Sequence, residues 1–262
     1  EPGVIGGMPQ GGLDFGAALN PDAILQQSLQ FDFYDGGGLD MACLGMAETD
    51  RLGNVNVSKF GPRLAGAGGF INISQNASRL VLAGSFTAGG LEIAVADGRL
   101  RIAVEGRTRK FVEAVEQITF SGTRAAATGQ PVLYVTERCV FTATPEGLAL
   151  TEIAPGIDLG RDILAHMDFT PIIDGPLTMD PRLFRPEPMG LRAEFLDAPM
   201  ATRIVWDAAR ELLLVNLRGY DDDHHPAEPV TVLGALLRRV GVSGAELMRL
   251  DLDERIARCR TL

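Results

Sequence analysis

The sequence predicts an α/β fold, with an open mixed sheet in a first domain and a small α+β appendage after it. Three observations carry that expectation. Runs such as Arg79-Leu80-Val81-Leu82-Ala83 are apolar without alternation, the pattern of a short strand in a sheet centre. Asp97-Gly98 stands between two strand-length runs and marks a two-residue hairpin, so parallel and antiparallel pairing are both expected. The 31 glycines among 262 residues cluster in the first ninety positions, beside the apolar runs. At strand ends of an α/β fold, glycine lets backbone N–H groups approach a ligand.

The elements follow in order. Residues 3 to 16 read as loop. Asn20-Pro21-Asp22 offers an N-cap, a first-turn proline and an acid, predicting a helix over about 21–28. Asp35-Gly36-Gly37-Gly38 breaks the chain before a strand at Leu39 to Leu44, and 52–57 reads as turn plus strand. Ala65 to Phe70 is a tight loop leading to the strand at 79–83. Leu91 to Val95 and Arg99 to Val104 form the hairpin; Val132 to Glu137, Val140 to Thr144 and Leu148 to Ile153 continue as strands. Asp158 to Met167 reads as a short capped helix, and Pro176, Pro181, Pro186 and Pro188 as a linker. Arg203 to Asp207 and Glu211 to Leu217 form a second hairpin, with helices near 229–240 and 244–258. The boundary falls near 190, giving domains 1–190 and 191–262.

Charge and composition exclude several classes. A formal charge of -10 opposes nucleic-acid binding, which needs a cationic face to displace counterions. No apolar run reaches the roughly 20 residues of a membrane span. Cys43, Cys139 and Cys259 lie far apart without a CxxC pair, which suits a reducing cytoplasm. His224 and His225 after Asp221-Asp222-Asp223 read as a polar loop rather than a metal tract, and His166 as a half-buried helix residue, so no metal site is expected. No nucleophile elbow, phosphate loop or dinucleotide fingerprint is present.

What remains is a carboxylate among glycines. Glu1-Pro2-Gly3-Val4-Ile5-Gly6-Gly7 places an acid where the backbone can fold tightly round a bulky group, and further glycine loops lie at 36–38, 66–69 and 89–90. The chain opens on this segment with no initiating Met, and the expectation is that a further part precedes it.

Glu1-Pro2-Gly3-Val4-Ile5-Gly6-Gly7 resembles the E-x-G-x-x-G motif of the family I CoA-transferases. Gly36-Gly37-Gly38-Leu39-Asp40-Met41, Gly53 to Lys59, Gly66 to Asn72, Phe86-Thr87-Ala88-Gly89-Gly90 and Val135 to Phe141 follow in that family's order. The likeness is greatest to the propionate, acetate and 3-ketoacid CoA-transferases that join two halves in one polypeptide. It implies a CoA-transferase-like (NagB/RpiA-like) fold, of which this chain would be the C-terminal, glutamate-bearing half. It also implies Glu1 as nucleophile, Gly89 as an oxyanion donor, Asn54 as the residue orienting the glutamate, and Gly3, Gly68, Gly69 and Gly90 as contacts to CoA. Coenzyme A would be a substrate and not a tightly bound cofactor. Partners implied are acyl-CoA, short-chain carboxylic acids, an N-terminal half and further copies in an oligomer. The chemistry agrees: glutamate, with an ordinary pKa near 4.3, is ionised at neutral pH and attacks a thioester without a histidine base. An acyl-CoA hydrolase on the same scaffold and a non-catalytic metabolite-binding subunit are the alternatives; a requirement for an acceptor acid separates transferase from hydrolase.

Overall fold

Six strands form the central sheet of the computed structural model, which describes residues 3–14, 16–191, 194, 204–207 and 212–215. The chain divides into two compact units, Glu1–Glu187 and Pro188–Leu262. In the first unit the longer strands are β1 (Ala42–Gly45), β2 (Leu80–Ala83), β3 (Glu92–Ala96), β4 (Arg99–Val104), β5 (Val132–Val135), β6 (Cys139–Thr144), β7 (Gly147–Ile153) and β8 (Ile172–Thr178). The sheet order is β8-β7-β6-β5-β2-β1. Parallel pairs β1–β2, β2–β5 and β7–β8 flank antiparallel β5–β6 and β6–β7, so the sheet is mixed as expected. Hairpin β3–β4 stands apart, turned by Asp97 (φ 53°) and Gly98 (φ 71°). Both central residues at positive φ match the right-handed twist of the flanking strands.

Among the described residues of the first unit, three α-helices accompany the sheet: α1 (Gln27–Asp35), α2 (Phe70–Asn76) and α3 (Gly122–Thr128). Parallel neighbours need crossovers, and α2 and α3 lie in the connections β1–β2 and β2–β5. The main core forms where Leu80, Leu82, Val132, Tyr134, Phe141 and Leu148 meet Phe86, Phe111 and Phe120.

The structure corrects four expectations. The helix expected over 21–28 begins only at Gln27, because Asn20 has φ 51° and the chain at Ala23–Ile24 pairs with Val4–Ile5. The loop at 65–70 does not run directly into β2 but opens α2, whose β-branched Ile71 and Ile73 and lack of a side-chain cap disguise it. Asp158 does cap the next turn through Arg161 N (2.7 Å), but that turn is π-helical over Leu159–Ile163 and 3-10 over Leu164–His166. The proline-rich linker is instead structured: Pro176 lies in β8, and Pro181–Phe184 is a 3-10 turn that buries Phe184 against Leu100 and Met179. In the second unit Ile204–Asp207 pairs with Leu212–Val215, as the second hairpin predicts; the helices expected near 229–240 and 244–258 lie outside the described residues.

Candidate active site

The carboxyl ends of β1, β2 and β5 face one way because these strands are parallel, and such ends are where open α/β sheets bind ligands. Beyond them lies a cavity of about 490 Å3, lined by Ala83, Gly84, Ser85, Leu91, Ile93, Val135, Thr136 and Glu137. Gly84 is there for close packing: a Cβ would lie 2.8 Å from both Lys110 Nζ and the Met46 carbonyl oxygen.

The loop leaving β2, Gly84 to Gly90, is tied from beneath by charge. The amide of Phe86 donates to Glu137 Oε2 (2.8 Å), and the buried ammonium of Lys110 donates to the Ser85 carbonyl (2.8 Å). Burial holds the Lys110 amine below its ordinary pKa, with Glu137 opposing the shift. Arg138 is wholly buried; it donates to Glu137 Oε1 (2.8 Å), to Glu105 Oε2 (2.9 Å) and Oε1 (3.2 Å), and to the Asp162 carbonyl (2.7 Å). Burial alone would raise the Glu105 pKa, but hydrogen bonds from Arg138 and Thr87 outweigh it and hold the carboxyl low. His166 Nε2 lies 3.3 Å from Glu105 Oε2, which gives this half-buried residue a polar neighbour.

The glycines implied for the site fall in three places. Gly89 and Gly90 have φ of 80° and 99° and are exposed at the end of the tied loop. Gly68 (φ 54°) and Gly69 lead into α2, with Gly69 at its N-cap. Gly3 (φ 97°) is buried, and a Cβ there would collide with the Leu25 carbonyl oxygen. Its amide donates to Gln30 Oε1 (2.8 Å), and Gln30 Nε2 donates to the Val4 carbonyl (3.3 Å). Gln30 of α1 thus anchors the segment two residues from Glu1; Glu1 itself lies outside the described residues. Asn54 is buried, its Nδ2 donating to Asp50 Oδ2 (3.0 Å) and its Oδ1 accepting the Gly122 amide (3.0 Å) at the start of α3.

Sequence reasoning did not single out Gln30, Thr87, Glu105, Lys110 or the Glu137-Arg138 pair as site residues. Thr87 and the Glu137-Arg138 pair carried a signal, since they lie within the motifs at 86–90 and 135–141; Gln30, Glu105 and Lys110 carried none, since only folding brings them to the site. Among the described residues no group of three His, Cys, Asp or Glu side chains is arranged to hold a metal, and no helix is long and apolar enough to cross a membrane.

The sheet, the glycine turn and the sequence point to one class: over about 190 residues this chain is similar to proteins named as CoA-transferases. It is 51% identical over 191 residues to the acetate CoA-transferase YdiF of Escherichia coli O157:H7, and 51% identical over 190 residues to the caffeate CoA-transferase of Acetobacterium woodii. These matches take in 72% and 70% of this chain and 36% of each relative, so the chain spans about a third of their length. Among solved structures, the thioester complex of E. coli O157:H7 YdiF with CoA superimposes with a TM-score of 0.68 at 49% identity, over 72% of this chain and 36% of that one. No family model matches the chain.

Proposed function

We propose that this chain is the nucleophile-bearing part of a CoA-transferase that moves CoA from a short-chain acyl-CoA to a carboxylic acid, and that an N-terminal half completes it. The observation that carries the reading is the 49% identity to a chain solved as a thioester complex with CoA. In this reading the Glu1 carboxylate attacks the thioester carbonyl, giving a mixed glutamyl–acyl anhydride and expelling CoA as thiolate. The thiolate returns to the glutamyl carbonyl, releases the first acid as its carboxylate and leaves a glutamyl-CoA thioester. The acceptor carboxylate attacks that thioester and the two steps run in reverse, so Glu1 is regenerated.

Each tetrahedral intermediate carries an oxyanion. The Gly89 amide is assigned as a donor to it, the glycine at φ 80° leaving the approach clear of a side chain. Gly90, Gly68, Gly69 and Gly3 are assigned to the backbone surface that admits CoA, and Asn54 to the orientation of the glutamate. Support for Asn54 is its rigid setting between Asp50 and α3. The remote parts of CoA supply binding energy that the reacting atoms themselves cannot.

The test is chemical trapping. The complete enzyme, incubated with acetyl-CoA and then borohydride, should carry a reduced side chain at Glu1 in peptide mass spectrometry. Exchange of CoA with Glu1 unmodified would refute the assignment, and CoA release at full rate without any acceptor acid would make the enzyme a hydrolase.

A further inference from the structure

We propose that Thr87 and Glu105 are positioning residues that latch the Gly89–Gly90 turn in place; the assignment rests on the CoA-transfer reading above. Hairpin β3–β4 is inserted between Gly90 and Glu105, and both ends of the insertion meet at one point. Thr87–Ala88 pairs antiparallel with Thr108–Arg109 over two residues only, and the Arg107 amide donates to the Gly89 carbonyl (3.3 Å). A ladder that short cannot fix its own geometry.

Side chains supply what the ladder lacks. The buried Thr87 hydroxyl donates to Glu105 Oε1, and the Gly106 amide is shared between Thr87 Oγ1 (3.2 Å) and Glu105 Oε1 (3.0 Å). Glu105 is in turn gripped by both terminal nitrogens of Arg138, which has no exposed surface and cannot swing away. Gly106 has no room for a side chain: a Cβ would lie 2.6 Å from the Ala88 carbonyl oxygen and 2.6 Å from Thr87 Oγ1. The chain therefore passes through the latch in one register, and Gly89 follows two residues after its central hydroxyl. An ion pair serving the surface alone would need neither the buried arginine nor the shared amide.

A misdirected donor lowers the rate of the chemical step more than it weakens substrate binding. The complete enzyme containing this chain should be compared as parent, Thr87→Val and Thr87→Ser. Valine keeps the branched shape and removes the hydroxyl; serine keeps the hydroxyl. For Thr87→Val we expect kcat to fall by about 10-fold with KM for acetyl-CoA within about 2-fold, and for Thr87→Ser to restore most of the rate. Hydrogen exchange of the 86–90 amides should quicken in Thr87→Val while the β2 and β5 amides stay protected. Parent-like kcat with unchanged exchange at 86–90 would overturn the latch. So would a loss of protection spread evenly over the sheet, with Thr87→Ser no better than Thr87→Val, since that marks mere destabilisation. If the parent transfers no CoA, the functional reading falls, and the latch still stands or falls on the exchange rates.

Discussion

The Arg138 guanidinium sits over the face of Phe86, 4.7 Å from the ring centre, while the Phe86 amide donates to the same Glu137 carboxylate that Arg138 holds. Ring and backbone of one residue are thus fixed by one ion pair. Phe86 continues into Phe111 (4.7 Å between ring centres) and Phe111 into Phe141 (5.0 Å), which joins the loop after β2 to the core of the sheet.

Arg138→Met should therefore cost about 3–5 kcal/mol of stability, because it strands Glu105 and Glu137 without their shared cation. Arg138→Lys should recover only part of it, since an ammonium cannot fork to Glu105 while also reaching Glu137 and the Asp162 carbonyl. Urea unfolding of the two variants beside the parent checks both statements, and an unchanged midpoint for Arg138→Met would contradict the first.

Glu105 sets an acid limit. Its folded pKa lies below the ordinary 4.5, so the unfolded chain binds more protons in that range and stability rises with pH there. The contribution is complete above about pH 4.5 and is lost as pH falls through the folded value. The stability difference between parent and Glu105→Gln should shrink on acidification below about pH 4.5. A difference constant from pH 6 to pH 3 would contradict this.

Tyr134 closes the turn that carries Asn54. Its buried hydroxyl donates to the Gly53 carbonyl (2.6 Å), and burial pushes its pKa up. Tyr134→Phe should cost about 1–3 kcal/mol by leaving that carbonyl without its donor. Gly53→Ala should be worse, because φ is 76° and a Cβ would lie 2.6 Å from the tyrosine oxygen. Thermal melts of both variants give the order.

Gly89→Val tests the oxyanion assignment. Space alone does not forbid a Cβ, whose nearest neighbour would be Thr108 Oγ1 at 3.4 Å, but φ of 80° strains valine. Valine keeps the amide, but relief of that strain turns the N–H away from the oxyanion, so a loss of at least about 100-fold in kcat is expected, the scale of one lost donor, with most of the thermal stability retained because the turn is exposed. Wild-type turnover in a folded variant would remove Gly89 from the mechanism.

Local signals gave the sequence its hold on the strands. Unbroken apolar runs marked β2 and β5, and Asp97-Gly98 placed the β3–β4 turn at the correct pair of residues, because a type I′ turn needs positive φ at both. Helices were less legible. Ser121 and Gly129 do cap α3, through Arg124 N and an αL turn, and could have been read; α2 has no such marks.

The sequence by itself carried the likeness to the CoA-transferases, since ordered glycine motifs from Glu1 to Phe141 survive as a linear pattern whatever the fold does with them. Only the tertiary structure decided what those motifs rest on. Thr87, Glu105 and Arg138 are separated by 18 and 33 residues, and each alone is an ordinary polar residue. Thr87 and Arg138 are buried at their meeting point, and a buried hydroxyl or charge must find its partner in the chain. That requirement ties the loop after β2 to β5 and the returning hairpin, and no linear pattern records it.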